Sequence, residues 1–174
     1  FIQHVSGDAF TAFACNGLAL TEQTARKLRE AGLDVIYLSF NGDEPEVYGR
    51  MMGGIPFERT LANLRRAVGI ARDSRLDIRA NVSVARANSE RTTRIKDLLN
   101  REGVSNITFS LCHNRGGNLR DPEVCDTPPI PEAQDRCAVI QHTLFIDWRG
   151  QAVICQQDLN GEHALGDVLI EPLD

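Results

Sequence analysis

The order in which strand and helix signals follow one another constrains this chain more than any other feature. Through residue 111 they alternate without a break. Phe10–Ala14 is a short apolar run ending at Asn16-Gly17, a strand followed by a turn. Thr21 can cap a helix that carries Ala25, Leu28 and Ala31 at helical spacing and stops at Gly32. Asp34–Phe40 reads as a buried strand closed by Asn41-Gly42. Phe57, Leu61, Leu64, Val68 and Ala71 then step by four, three, four and three along one face of an amphipathic helix. A strand over Ile78–Val84 follows, then a helix with Ile95, Leu98 and Leu99 ended by Gly103, then a strand over Asn106–Leu111.

Four strands separated by three helices is the grammar of βαβ units, with parallel strands joined by crossovers. A flavodoxin-like open sheet and a full or partial TIM barrel both fit it. In either, chemistry belongs at the carboxyl ends of the strands. Those ends are Ala14 to Gly17, Ser39 to Gly42, Ala85 to Asn88 and Cys112 to Gly117, polar or glycine-rich where the strands are apolar. Taken singly, each is also what an ordinary turn requires.

After Gly117 the alternation stops. Residues 118–136 hold Pro122, Pro128, Pro129 and Pro131 among charges and read as a linker between two domains, 1–117 and 137–174. Beyond it His142–Asp147 and Gln151–Cys155 read as a β-hairpin turning at Gly150. Of the 174 residues 42% are hydrophobic and 25% charged, and the net charge is −5. That balance argues against nucleic acid or anionic membrane as the main partner, since both reward clustered Lys and Arg. No run of about 18 apolar residues exists. The composition is that of a cytoplasmic protein, and a chain that starts at Phe1 in mid-domain sequence is expected to be a fragment.

Of the five cysteines, Cys112, Cys125, Cys137 and Cys155 lie in the later part of the chain, and an odd total is a poor disulfide framework. Cys137 just before the hairpin and Cys155 at its far strand end can bring two thiolates to one metal, which selects zinc or iron–sulfur iron. Such sites usually want four ligands, so Cys125, Cys112 or residues beyond Asp174 would complete the set; a buried, inert thiol is the alternative for each. Cys15 and Cys112, at strand ends without partners at ligand spacing, read as core thiols, and His163 near Asp158 as a surface histidine.

Three stretches resemble the radical SAM proteins of the SPASM group. ACNGLALTEQTARKLREAGLDVIYLSFNG (Ala14–Gly42) is similar to the family's third-strand pattern, and EVYGRMMGGIPFERTLANLRRA (Glu46–Ala67) to the segment after it. The run from Cys137 to Cys155, with Gly150 four residues before the second cysteine and Asp158 and Gly166-Asp167 trailing, resembles the opening of the SPASM cysteine motif. The resemblance implies a partial (β/α)6 barrel in which these strands are numbers three to six. It implies a [4Fe–4S] cluster, S-adenosylmethionine (SAM) at the strand ends, and a 5′-deoxyadenosyl radical that abstracts hydrogen from a substrate. It further implies an auxiliary cluster held by Cys137 and Cys155, a peptide or protein side chain as substrate, and an electron donor such as flavodoxin or ferredoxin. The family's CxxxCxxC and its glycine-rich SAM motif are absent, and are expected upstream of Phe1.

Four positions carry over as SAM contacts. Ser39 matches a position that often meets SAM, and Asn16 the asparagine of the third-strand turn; for both, a local turn role is the alternative. Asn81 falls where the family often has a polar group near SAM, and Arg50 near an arginine that reaches its carboxylate. His113 to Asn118 is the most unusual polar run and could face substrate, with Arg115 pairing a carboxylate, or form the exit to the next domain. A molybdenum-cofactor-cyclase-like protein and a non-catalytic zinc-thiolate module are the competing readings.

Overall fold

The computed structural model describes residues 2–112 and 138–171. These fall into two compact units, the first ending at Cys112 and the second holding the remainder. The linker 118–136, Cys125, Cys137 and the run from His113 to Asn118 lie outside the described residues.

The first unit opens with a short helix α1 (Ile2–Val5) and then alternates: β1 (Ala12–Cys15), α2 (Glu22–Glu30), β2 (Val35–Ser39), α3 (Pro45–Met51), α4 (Phe57–Ala71), β3 (Asp77–Val84), α5 (Thr92–Arg101) and β4 (Ile107–Leu111). The four strands form one parallel sheet in the order β1-β2-β3-β4. A doubly wound sheet reverses its strand order part-way along. The described sheet has no such reversal.

Local chemistry explains most element ends. The Thr21 hydroxyl accepts the Thr24 N–H at 3.2 Å and caps α2. Gly32, at φ 81°, closes that helix: its N–H reaches the Arg29 carbonyl at 3.0 Å, and the Leu33 N–H reaches Leu28 at 3.1 Å. Those two bonds make a Schellman ending. Gly103 ends α5 the same way, through Gly103 to Asn100 at 3.0 Å and Val104 to Leu99 at 2.9 Å. Helix α3 carries Pro45 in its first turn but has no side-chain cap. Tertiary packing holds it instead: Tyr48 is fully buried, its ring centroid 4.9 Å from Phe40 and 5.4 Å from Phe57.

Strand residues alternate between two environments. Ile36, Leu38, Ile78, Ala80 and Val82 belong to the core that the helices build with Ala25, Leu61, Leu64, Ala67, Ile95 and Leu99. Tyr37, Ser39, Arg79, Asn81 and Ser83 point the other way, stay half-buried and are outside that core. The expected strand from Phe10 starts two residues later, at Ala12, because Phe10 is 67% exposed and Thr11 is drawn into a side-chain clasp.

That clasp joins the amino ends of β1, β2 and β3. The Asp34 carboxylate accepts from the Thr11 N–H at 2.8 Å, the Thr11 hydroxyl at 3.0 Å and the Arg75 guanidinium, which also reaches the Ser6 carbonyl at 3.0 Å. Arg75 and the Thr11 N–H hold the Asp34 carboxyl down from 3.8 to about 2. A carboxyl lower in the folded than the unfolded state stabilises above its unfolded value, and that contribution disappears as pH falls through the folded value. The urea midpoint should therefore drop between roughly pH 4 and pH 2, and Asp34→Asn should flatten the drop while lowering the midpoint at neutral pH. An equally steep acid slope in Asp34→Asn would contradict this assignment.

The second unit contains α6 (Ala138–His142) and a three-stranded antiparallel sheet of β5 (Phe145–Ile146), β6 (Gln151–Val153) and β7 (Ala164–Asp167), in that order. The hairpin turns at Gly150, φ 87°, where the Asp147 carboxylate accepts the N–H groups of Arg149 at 2.8 Å and Gln151 at 3.0 Å. Its first strand is shorter than the expected His142–Asp147, because the chain through His142 is helical. No helix among the described residues is long and apolar enough to cross a membrane.

Candidate functional site

Buried asparagines tie the carboxyl ends of β2 and β3 to each other and the loop after β1 to α4. Asn88 is fully buried: its Oδ1 accepts the Ala85 N–H at 2.8 Å, and its Nδ2 donates to the carbonyls of Asn41 and Ser83, both at 2.9 Å. Asn41 returns the link, its Oδ1 accepting the Ser83 N–H at 2.8 Å and its Nδ2 lying 3.2 Å from the Met52 sulfur. On α4, Asn63 donates to the carbonyls of Gly17 at 3.0 Å and Leu18 at 3.1 Å and anchors the loop after β1. Buried amides make the turns at three strand ends rigid, because each satisfies backbone groups that no ladder reaches. Outside them Arg91 clips the loop after β2, 3.1 Å from Asp43 and 2.7 Å from Glu44.

Two of the four expected SAM contacts are brought together. Ser39 and Asn81 are direct partners across β2 and β3, and Asn81 in turn pairs with Thr108 on β4. All three stand on the sheet face away from the core, and their side chains make no hydrogen bond with any described residue. Asn16 follows β1 on the same face, but its Oδ1 accepts the Leu18 N–H at 3.0 Å, so it holds a turn. Arg50 stands exposed on the last turn of α3, not on a strand. The neighbours Ser83 and Ser110 also pair across β3 and β4 on that face. These hydroxyls are residues that sequence reasoning passed over, although the alternation in Ile78–Val84 and Ile107–Leu111 already displayed them.

Three of the five cysteines lie among the described residues. Cys15 packs against the core, and burial pushes its thiol up, the Gly17 N–H pulling the other way. Cys112 follows β4. In the second unit the Cys155 sulfur accepts the Gln157 N–H at 3.3 Å and lines a cavity of about 310 Å³ with Asp158 and His163. The Asp158 carboxylate is occupied by the backbone N–H groups of Glu162 and His163, both at 2.9 Å, which lower its pKa, and the His163 ring lies 3.9 Å away. Among the described residues no three or more His, Cys, Asp or Glu side chains gather as a metal site. An iron–sulfur cluster therefore finds no ligand set among the described residues, whereas the hydroxyl of Ser39 and the amide of Asn81, which bond no described residue, suit a polar cofactor such as SAM.

The sequence profile of the Radical SAM superfamily matches residues 2–78, which covers α1 through the start of β3. Members of that superfamily are enzymes that use a [4Fe–4S] cluster and SAM for radical chemistry, and the match suggests such chemistry here in general terms. No curated protein matches the chain.

Proposed function

We propose that the chain is the later part of a radical SAM catalytic barrel leading into a SPASM-type module, from an enzyme that takes hydrogen from a peptide or protein side chain. The observation that carries this reading is the Ser39–Asn81 pair. It sets two polar side chains that bond no described residue on the face of a parallel sheet away from the core, Ser39 inside and Asn81 just after the segment that the superfamily profile matches. The sequential strand order suits a singly wound barrel in which strands three to six lie side by side. The barrel domain would be residues 1–117, the linker 118–136 and the module 137–174.

SAM, when bound with its cluster, supplies the radical. The chain's own part is to orient it: the Ser39 hydroxyl and the Asn81 amide can hydrogen-bond a ribose or carboxylate, and the buried asparagines keep the strand ends from yielding. Asn16 and Arg50 are secondary candidates, since Asn16 already serves a turn and Arg50 stands on α3 rather than on a strand. The catalytic cluster would use a CxxxCxxC outside these residues. Cys155, with Cys137, would hold an auxiliary cluster, and a flavodoxin or ferredoxin would deliver the electron.

Ser39→Ala and Asn81→Ala should each weaken SAM binding by about fivefold, and both together by more than tenfold, roughly one hydrogen bond per side chain. Calorimetric titration of the full-length gene product with SAM reads this. Unchanged affinity in the double variant would remove the pair from the cofactor site. Anaerobic reconstitution with iron and sulfide provides the second test: zinc without an iron–sulfur absorption band would favour a structural thiolate module instead.

A further inference from the structure

The open face of the sheet carries a second row of hydrogen-bonding groups beyond the Ser39–Asn81 pair. Ser83 on β3 lies opposite Ser110 on β4, and Thr108 sits two residues before Ser110 on the same face. None of these three hydroxyls bonds to a described residue, and Thr108 and Ser110 are exposed. A parallel sheet is ordinarily covered on both faces, with strands apolar throughout. A face whose hydroxyls, in successive rows, bond no described residue can meet a polar ligand.

Its charge is just as informative. The ionised strand residues on this face are Arg79 and Asp77, and they neutralise each other through a 2.7 Å contact at the amino-terminal end of β3. The Arg79 guanidinium also lies over the Tyr37 ring, 5.9 Å from its centroid. The Ser83–Thr108–Ser110 row thus donates and accepts hydrogen bonds with no adjacent strand charge to balance an ionic group. An anion meeting it would lose hydration without a countercharge from these strands, whereas a neutral amide would exchange water bonds for hydroxyl bonds.

We propose that Ser83, Thr108 and Ser110 form an uncharged wall that receives a neutral amide group of the substrate, beside the SAM contacts Ser39 and Asn81. The inference rests on the reading of this face as a SAM-dependent active site and names what its far side accepts. The test uses two probes of equal size, N-acetylglycinamide and N-acetylglycinate, titrated into the SAM-loaded full-length protein by ligand-observed NMR. The neutral probe should bind at least about fivefold more tightly than the anion. Replacing two hydroxyls in Thr108→Val/Ser110→Ala should weaken the neutral probe by about tenfold and leave SAM affinity and the thermal unfolding midpoint unchanged. Thr108→Lys should reverse the preference between probes. Equal or tighter binding of the anion, undetectable binding of the amide, or an unaltered amide affinity in the double variant would overturn the wall. A wild-type protein that fails to bind SAM but still shows the amide preference and its loss would sink the SAM reading and leave the wall standing.

Discussion

Asn88→Ala should lower the unfolding free energy of the first unit by about 3 kcal/mol, the cost of leaving three buried backbone groups without partners. The Ala85 N–H and the carbonyls of Asn41 and Ser83 are all bonded by this one side chain, which is fully buried. Amide hydrogen exchange is the sharpest reading, because the loss should concentrate at the ends of β2 and β3 rather than at the Asp34 clasp. Asn88→Asp separates the amide's two halves. It keeps an acceptor for Ala85 but turns an anion toward two carbonyls, so it should be worse than alanine at neutral pH and recover on acidification as the carboxyl protonates. Protection factors at Ser83 and Ala85 that match wild type in Asn88→Ala would show that the network does not hold the strand ends.

Gly42→Ala should be of similar size, about 2–3 kcal/mol, from crowding. A methyl group there would stand 2.6 Å from the Tyr48 nitrogen and 2.7 Å from its Cα, and this backbone lies mid-helix in α3. The helix cannot yield without pulling Tyr48 out of its packing with Phe40 and Phe57. Gly53→Ala is the control. It meets nothing within 4 Å and carries only the left-handed backbone, φ 64°, so it should cost about 1 kcal/mol. Urea titrations followed by far-ultraviolet circular dichroism compare the two, and Gly42→Ala no more damaging than Gly53→Ala would refute the close approach.

Much of the first unit was legible along the chain because its signals are local. Thr21 caps α2 and Gly32 ends it, Gly103 ends α5, and the apolar stripe of α4 runs from Phe57 to Ala71. Each depends on residues within one helical turn, the range over which capping and periodicity act. Helix α3 was not legible: it is seven residues with no side-chain cap, held by the packing of Tyr48 between two aromatic rings that lie outside the helix. In the second unit the Gly150 turn was visible, while β7 and the short helix ending at His142 were not, since β7 is defined by its pairing with β6.

The candidate site divides the same way. The sequence alone determined the residue types at the strand ends, the parallel βα order and the resemblance that singled out Asn16, Ser39, Arg50 and Asn81. Which of them meet was decided by register. Ser39 and Asn81 are 42 positions apart in the chain and become neighbours only because β2 and β3 pair with Val35 opposite Asp77. The same pairing sets Thr108 beside Asn81 and Ser110 beside Ser83, while Asn16 is spent on its own turn. A strand shifted by one residue would send every one of these side chains into the helix-packed core, since side chains alternate faces with a period of two. Burial of Ile78, Ala80 and Val82 forbids that shift, and so the apolar core, which touches no ligand, fixes which polar groups stand together on the open face.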